Sequence, residues 1–274
     1  MRRAAARARL TLPRVMPLGC RTSFGSERAR LGCGSMRALV IQHDHMSPPG
    51  PVGERLVDHG YDLVLHTVVP EDAYDRPGVE STLPELTDFD VVVPMGSPWS
   101  AYDHALIGSW VLPELDALRR ADDVGVPVLG ICFGGQLLAA AHGGSVTRSP
   151  EPELGWVTVE SDDDRLVPAG EWFQWHFDRW TRPVDALEVA RNAAASQAFV
   201  LRRNLAVQFH PELTSTMLAG WIGNGGAADL ATAGIDADRL VDATCARDEE
   251  SRRRAHRLVD GFLTRVSSRG DDPK

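Results

Sequence analysis

A cysteine sits in the run Gly130-Ile131-Cys132-Phe133-Gly134-Gly135-Gln136. Seventy-eight residues later a histidine and a glutamate close the run Gln208-Phe209-His210-Pro211-Glu212. Thiol, imidazole and carboxylate are the parts of a covalent acyl-transfer site: a nucleophile, a base to take its proton, and an acceptor to orient the base. The apolar stretch Val126-Pro127-Val128-Leu129 before Cys132 and the helix-forming Gln136-Leu137-Leu138-Ala139-Ala140-Ala141 after it predict a strand turning sharply into a helix, with the cysteine at the turn. Gly130 and Gly134 lack a Cβ, so backbone can pass close to such a turn. At a helix N-terminus the thiol meets unpaired N–H groups and the positive end of the helix dipole, both of which favour the thiolate.

The bland alternative for Cys132 is a buried structural cysteine, and a lone His-Pro-Glu more often ends a strand. The two runs together favour catalysis. The alternation Leu205-Ala206-Val207-Gln208-Phe209 predicts a strand that presents His210 at its end. Residues two apart on extended chain share a side, so Glu212 can reach the imidazole, and Pro211 stiffens the turn between them.

Both runs resemble the motifs of the class I (triad) glutamine amidotransferases, and the resemblance extends over residues 37 to 268, as in a stand-alone chain similar to the amidotransferase domain of GMP synthase. Met95-Gly96-Ser97-Pro98-Trp99-Ser100 resembles that family's Gly-Gly-Pro-x-Ser oxyanion loop, with Ser97 where a second glycine is commoner. Trp175-His176-Phe177-Asp178 resembles a Trp-His-Gly-Asp segment, with Phe177 replacing the glycine. The resemblance implies that Cys132 attacks a glutamine carboxamide, His210 shuttles the proton, Glu212 holds the imidazole, and water opens a glutamyl thioester. It places the oxyanion at the N–H groups of Gly96 and Phe133, donors of a kind that contribute about 3 to 4 kcal/mol. Gln136, Ser97, His176 and Asp178 become the substrate contacts. For Gln136 the bland reading is a capping or solvent-facing residue, and for His176 a packed strand-end histidine among Trp172, Trp175 and Trp180. No metal or cofactor is implied.

Three functions stay open: a glutaminase that feeds ammonia to a separate synthase or acceptor protein, a γ-glutamyl peptidase or hydrolase, and a non-catalytic regulatory module, disfavoured because all three triad residues are present. Relatives of the fold in which a histidine follows the elbow cysteine directly are excluded, since Phe133 stands there.

The elements that must position these groups alternate between β-rich and helical stretches. That pattern predicts an α/β protein with a flavodoxin-like, open, mostly parallel sheet, helices on both faces, and a helical C-terminal extension. Strands are expected at Arg37 to Gln42, Tyr61 to His66, Asp90 to Pro94 and into the elbow. Helices are expected from Pro51 to His59 and from Trp110 to Val124. Short strands cover Trp156 to Gln208 and helices cover Thr214 to Val266. The site then falls at the carboxyl ends of strands three and four, as open α/β sheets require. His43 and His45, in the Pro/Gly-rich loop after strand one, read as a solvated or substrate-shaping loop more readily than as a metal pair.

The chain has 274 residues, 43% hydrophobic and 24% charged, an ordinary globular composition. No apolar run approaches the roughly 20 residues of a membrane span. Cys20, Cys33, Cys132 and Cys245 show neither zinc spacing nor a disulfide framework, and a reactive thiolate calls for a reducing cytoplasm. Residues 1 to 35 hold eight arginines and one acid, so they carry +7 and the remainder −16 of the net −9. This segment has no secretory apolar region. Its arginines match a transit peptide or a nucleic-acid arm, but it reads more simply as a disordered leader or translation from an upstream start, outside a single domain of residues 36 to 274. The acidic remainder argues against nucleic acid as a partner.

Overall fold

The computed structural model describes residues 35–268; apart from Ser35, the expected leader lies outside them. The chain runs β1 (Met36–Gln42), α1 (Gly50–Asp58), β2 (Tyr61–Thr67), β3 (Val91–Pro94), α2 (His104–Asp123), β4 (Leu129–Ile131) and α3 (Phe133–Ala141). Then come β5 (Ser145–Ser161), β6 (Gly170–Thr181), β7 (Leu187–Arg191), β8 (Ser196–Leu201) and β9 (Asn204–Val207). Four helices follow, α4 (Ser215–Trp221), α5 (Ala227–Thr232), α6 (Ala237–Cys245) and α7 (Asp248–Ser268).

β2, β1 and β3 pair in parallel, and so do β4 and β9. A parallel bridge between Val92 and Val128 joins the two groups. β9, β8, β7, β5 and β6 continue the sheet in antiparallel pairs. The sheet is therefore mixed, and the parallel half carries the proposed nucleophile and base. In β1 the alternation is complete: Leu39 and Ile41 point into one core with Trp110 and Leu118 of α2 and Leu137 of α3. Ala38 and Val40 point into a second core with Leu56 of α1 and Leu258 and Phe262 of α7. Both faces are thus covered, the usual condition for parallel strands. A third core packs Met217 and Leu218 of α4, Leu230 of α5 and Leu240 of α6 against Phe173 of β6.

Two expectations are corrected. The region after the elbow helix begins at Ser145 and is dominated by two long strands, not a series of short ones starting at Trp156. Pro150 and Pro152 obscure β5 in the sequence, and the ladder does break register between Arg148 and Glu153, where those prolines sit. The helix expected from Trp110 begins at His104, because Asp103 caps it by accepting the Leu106 N–H at 3.2 Å. Among the described residues no helix is long and apolar enough to cross a membrane.

Candidate active site

Cys132 occupies the junction of β4 and α3 with φ 50°, a left-handed backbone value that costs a non-glycine residue on the order of 1–3 kcal/mol. Close packing holds it there. A Cβ on Gly134 would lie 2.0 Å from the Pro94 carbonyl oxygen, so only glycine lets the elbow press against the end of β3. The Gly134 N–H donates to the Met95 carbonyl at 3.0 Å, and the Cys132 N–H donates to the Val207 carbonyl at 2.8 Å. The turn is thereby tied to β9, whose continuation carries His210.

β4 and β9 run in register, Leu129 beside Leu205 and Ile131 beside Val207. This brings the two sequence-predicted runs together. His210 Nδ1 lies 2.8 Å from Glu212 Oε1, and both side chains are buried. His210 Nε2 is buried on the side away from Glu212, where the ring faces the Cys132 sulfur. Burial works against a charged His210, but the facing Cys132 sulfur and then Glu212 outweigh it, holding the imidazole pKa well above its ordinary 6.5. The arrangement favours a protonated imidazole beside the sulfur. A Cβ on Gly96 would stand 3.1 Å from His210 Cε1 and 3.9 Å from Cys132 Cβ, so the backbone of the expected oxyanion loop directly borders the pair.

The remaining predicted contacts converge unevenly. Ser97, Phe133, Gln136, His176 and Asp178 all line the cavity that contains Cys132. Gln136 is buried, not solvent-facing, and its Nε2 donates to the Asp178 carbonyl at 3.2 Å and to Gln208 Oε1 at 3.4 Å. The Asp178 carboxylate accepts the hydroxyls of Ser100 at 2.5 Å and Tyr102 at 3.1 Å. His176 Nδ1 donates to the Asp178 carbonyl at 3.0 Å, and Nε2 stands 3.3 Å from Glu153. Burial raises the Glu153 pKa, but His176, Asn192 and Gln197 outweigh that and leave it below the usual carboxylate range. His176 and Asp178 thus line the cavity with their side chains held by these neighbours. Ser97 Oγ accepts the Trp99 N–H at 3.2 Å within the expected oxyanion loop.

The loop after β1 departs from the solvated reading. His43 is fully buried between the Gly96 carbonyl and Glu114. His45 packs edge-on to Tyr74, 5.4 Å between centroids, so the two histidines do not form a pair.

Sequence reasoning missed several groups. Gln208 Nε2 lies 3.7 Å from Cys132 Sγ, a weak donor to the sulfur; it stood inside a quoted motif with no role assigned. Trp221 at the end of α4 packs edge-on to His210, 5.0 Å between ring centroids, and donates to the Met46 carbonyl at 3.2 Å. Nothing local marks it. A second cavity opens on the His210 side, walled by Met46, Tyr74 and Trp221, and it shares Ser97, Pro98, Trp175 and Asp229 with the first.

A family model described as glutamine amidotransferase class-I matches residues 60–221. One of the subunits of the glutamine-hydrolysing GMP synthase of Sulfolobus acidocaldarius is 35% identical over 150 residues, covering 50% of this chain and 74% of that one. The glutamine-hydrolysing GMP synthase of Thermomicrobium roseum is also 35% identical over the matched stretch, but only 27% of its length is covered. A glutamine amidotransferase of Methylobacillus flagellatus superposes with TM-score 0.71 at 27% identity, over 85% of this chain and 96% of that one. One from Thermotoga maritima, 23% identical, superposes with TM-score 0.71 over 83% and 98% and so speaks for the fold.

Proposed function

We propose, from the premise that this chain belongs to the class I glutamine amidotransferase family, that it hydrolyses the side-chain amide of glutamine at a Cys132-His210-Glu212 triad and supplies ammonia to a separate acceptor subunit. The observation that carries the reading is the buried His210, held at 2.8 Å by Glu212 on one side and facing the Cys132 sulfur, which raises its pKa, on the other.

In this reading the Cys132 sulfur bonds to the amide carbon and the carbonyl π pair moves onto oxygen. The N–H groups of Gly96 and Phe133 meet that oxyanion. The C–N bond then breaks as His210 gives its proton to the departing nitrogen, leaving a thioester and free ammonia. Neutral His210 next takes a proton from water as its oxygen attacks the same carbon. The C–S bond breaks, glutamate leaves, and the thiolate and imidazolium are restored. Glu212 keeps Nδ1 protonated and the ring aimed throughout. Gln136 and Ser97 shape the acyl side of the cavity. A thiolate nucleophile suits a reducing compartment such as the cytoplasm.

A separate acceptor is favoured because the Sulfolobus relative is named as one subunit of a synthase. A second reading, a γ-glutamyl hydrolase, is supported by the aromatic-walled cavity on the His210 side, which offers room for a leaving group larger than ammonia. Ammonia release from glutamine, assayed beside cleavage of a panel of γ-glutamyl peptides, tests both. Glutamine turnover, low alone and raised by a synthase subunit, is expected. Efficient peptide cleavage with poor glutamine turnover selects the hydrolase.

A further inference from the structure

The cavity at Cys132 holds more charge than the triad chemistry uses. Two of its ionisable groups are committed to neighbours: Asp178 to the hydroxyls of Ser100 and Tyr102, and His176 to Glu153 and the Asp178 carbonyl. Two are not. Asp229, in α5, lines the cavity with a carboxylate that has no hydrogen bond or ion pair among the described residues, and it also borders the cavity on the His210 side. Arg148, on β5, lines the same cavity and makes no ion pair among the described residues. Its guanidinium lies over the ring of Phe177, 4.7 Å from the centroid. Phe177 stands where the resembled motif has glycine, so this departure provides a platform that holds a cation at the cavity edge.

The reactive end of the cavity is fixed by Cys132. A substrate whose carboxamide reaches Cys132 presents, at its other end, whatever must satisfy one free anion and one free cation. We propose that Asp229 and Arg148 bind the α-amino-acid head of the substrate, the ammonium at Asp229 and the carboxylate at Arg148. This rests on the proposed amide hydrolysis at Cys132 and narrows its substrates to γ-glutamyl compounds with an unblocked head. Asp229 lies beyond residues 60–221, so the contact comes from the C-terminal helices and not from the family-matched segment. A bidentate guanidinium suits a carboxylate, and an aspartate suits an ammonium. Both groups are partly solvated, so each contributes modestly and the pair sets selectivity more than rate.

The experiment uses the full chain and three amides: glutamine, 4-carbamoylbutanoate, which lacks the α-amine, and 4-aminobutanamide, which lacks the α-carboxylate. Asp229→Asn should raise KM for glutamine about tenfold, with the loss on KM and not on kcat, and should add no loss on 4-carbamoylbutanoate. Arg148→Gln should do the same for glutamine and add no loss on 4-aminobutanamide. Equal losses on all three amides, or no change with glutamine, would overturn the assignment. Calorimetric titration of glutamine into Cys132→Ala, with and without Asp229→Asn, reads the head contact without turnover. Weaker binding in the double variant supports it; unchanged binding, or no binding to Cys132→Ala, sinks it. Absence of hydrolysis of every amide by the native chain would instead refute the parent reading, while the titration still reports on the head.

Discussion

His43 Nδ1 lies 3.2 Å from the carbonyl oxygen of Gly96. Its Nε2 lies 3.2 Å from both oxygens of Glu114, so each ring nitrogen faces an oxygen partner inside the core. The buried imidazole thereby holds the Gly96 carbonyl, and with it the planar Gly96–Ser97 peptide, from the core side. His43→Ala should lower kcat by about tenfold through that loop. It should also cost about 3 to 5 kcal/mol of stability, because Glu114 is left as an unpaired buried charge. Glu114→Gln, which still offers His43 a partner, should cost less on both counts; denaturant melts and steady-state rates check this.

The same pair gives a pH signature. Burial lowers the His43 pKa, but Glu114 outweighs it, so the folded value lies above 6.5. A group raised on folding contributes its full stability below the unfolded pKa of about 6.5 and loses it as pH rises through the folded value. Unfolding free energy should therefore fall as pH climbs above about 6.5. His43→Gln should flatten part of that slope, and His210, also raised, should retain the rest. A variant with the native slope would remove His43 from the account.

Cys132→Ala should abolish hydrolysis yet fold, since a small side chain fits the elbow. An electrophilic glutamine analogue should label the native chain once, and peptide mapping should find the label on Cys132 and not on Cys20, Cys33 or Cys245.

Loss of the base should exceed loss of its support. His210→Ala is expected to cost about a hundredfold or more in kcat/KM, and Glu212→Gln less, because a carboxamide oxygen can still accept from Nδ1. Equal and negligible effects in steady-state assays would dismiss the pair.

Gly50, with φ 42°, sits so close to the base's support that a Cβ would lie 2.1 Å from the Glu212 carbonyl oxygen. Gly50→Ala should therefore lower the melting temperature, by an amount matching about 2 kcal/mol or more, and depress activity together. Thermal melts and rates measured on one preparation would show whether the two losses travel together.

The grouping of Cys132, His210 and Glu212 was legible because each sits in a short run whose spacing has a local meaning: an elbow around Cys132, and two residues on one side of extended chain at His210 and Glu212. The strands of the parallel half were legible through their apolar runs, such as Val91 to Val93. His43 was misread because its partner Glu114 is 71 positions away on α2, and a histidine beside Pro48, Pro49 and Gly50 carries no local sign of burial. Trp221 reaches the site from the end of α4, and Asp229 reaches it because the kinked segment Ile222–Gly226 turns α5 back toward it. The non-helical angles at Asn224 and Gly225 produce that bend, and no hydrophobic period encodes it. The first half of β5 was not legible because it offers a single aliphatic side chain, Val146, and contains two prolines.

The pairing of β4 with β9 has an evolutionary side. The proposed nucleophile and base are separated by 78 positions in the chain, yet their relative placement depends on the shared register at Leu129–Leu205 and Ile131–Val207. A slip by one residue would carry His210 about 3.3 Å along the strand and turn its neighbours to the opposite face. Changes between Ala141 and Asn204 leave the proposed reacting groups in place only where two ties survive: β9 must dock in register, and the Phe173 carbonyl of β6 must still accept the His210 N–H at 2.9 Å. The loops that join β5 to β6 and β6 to β7 are where length can change at least cost to that geometry.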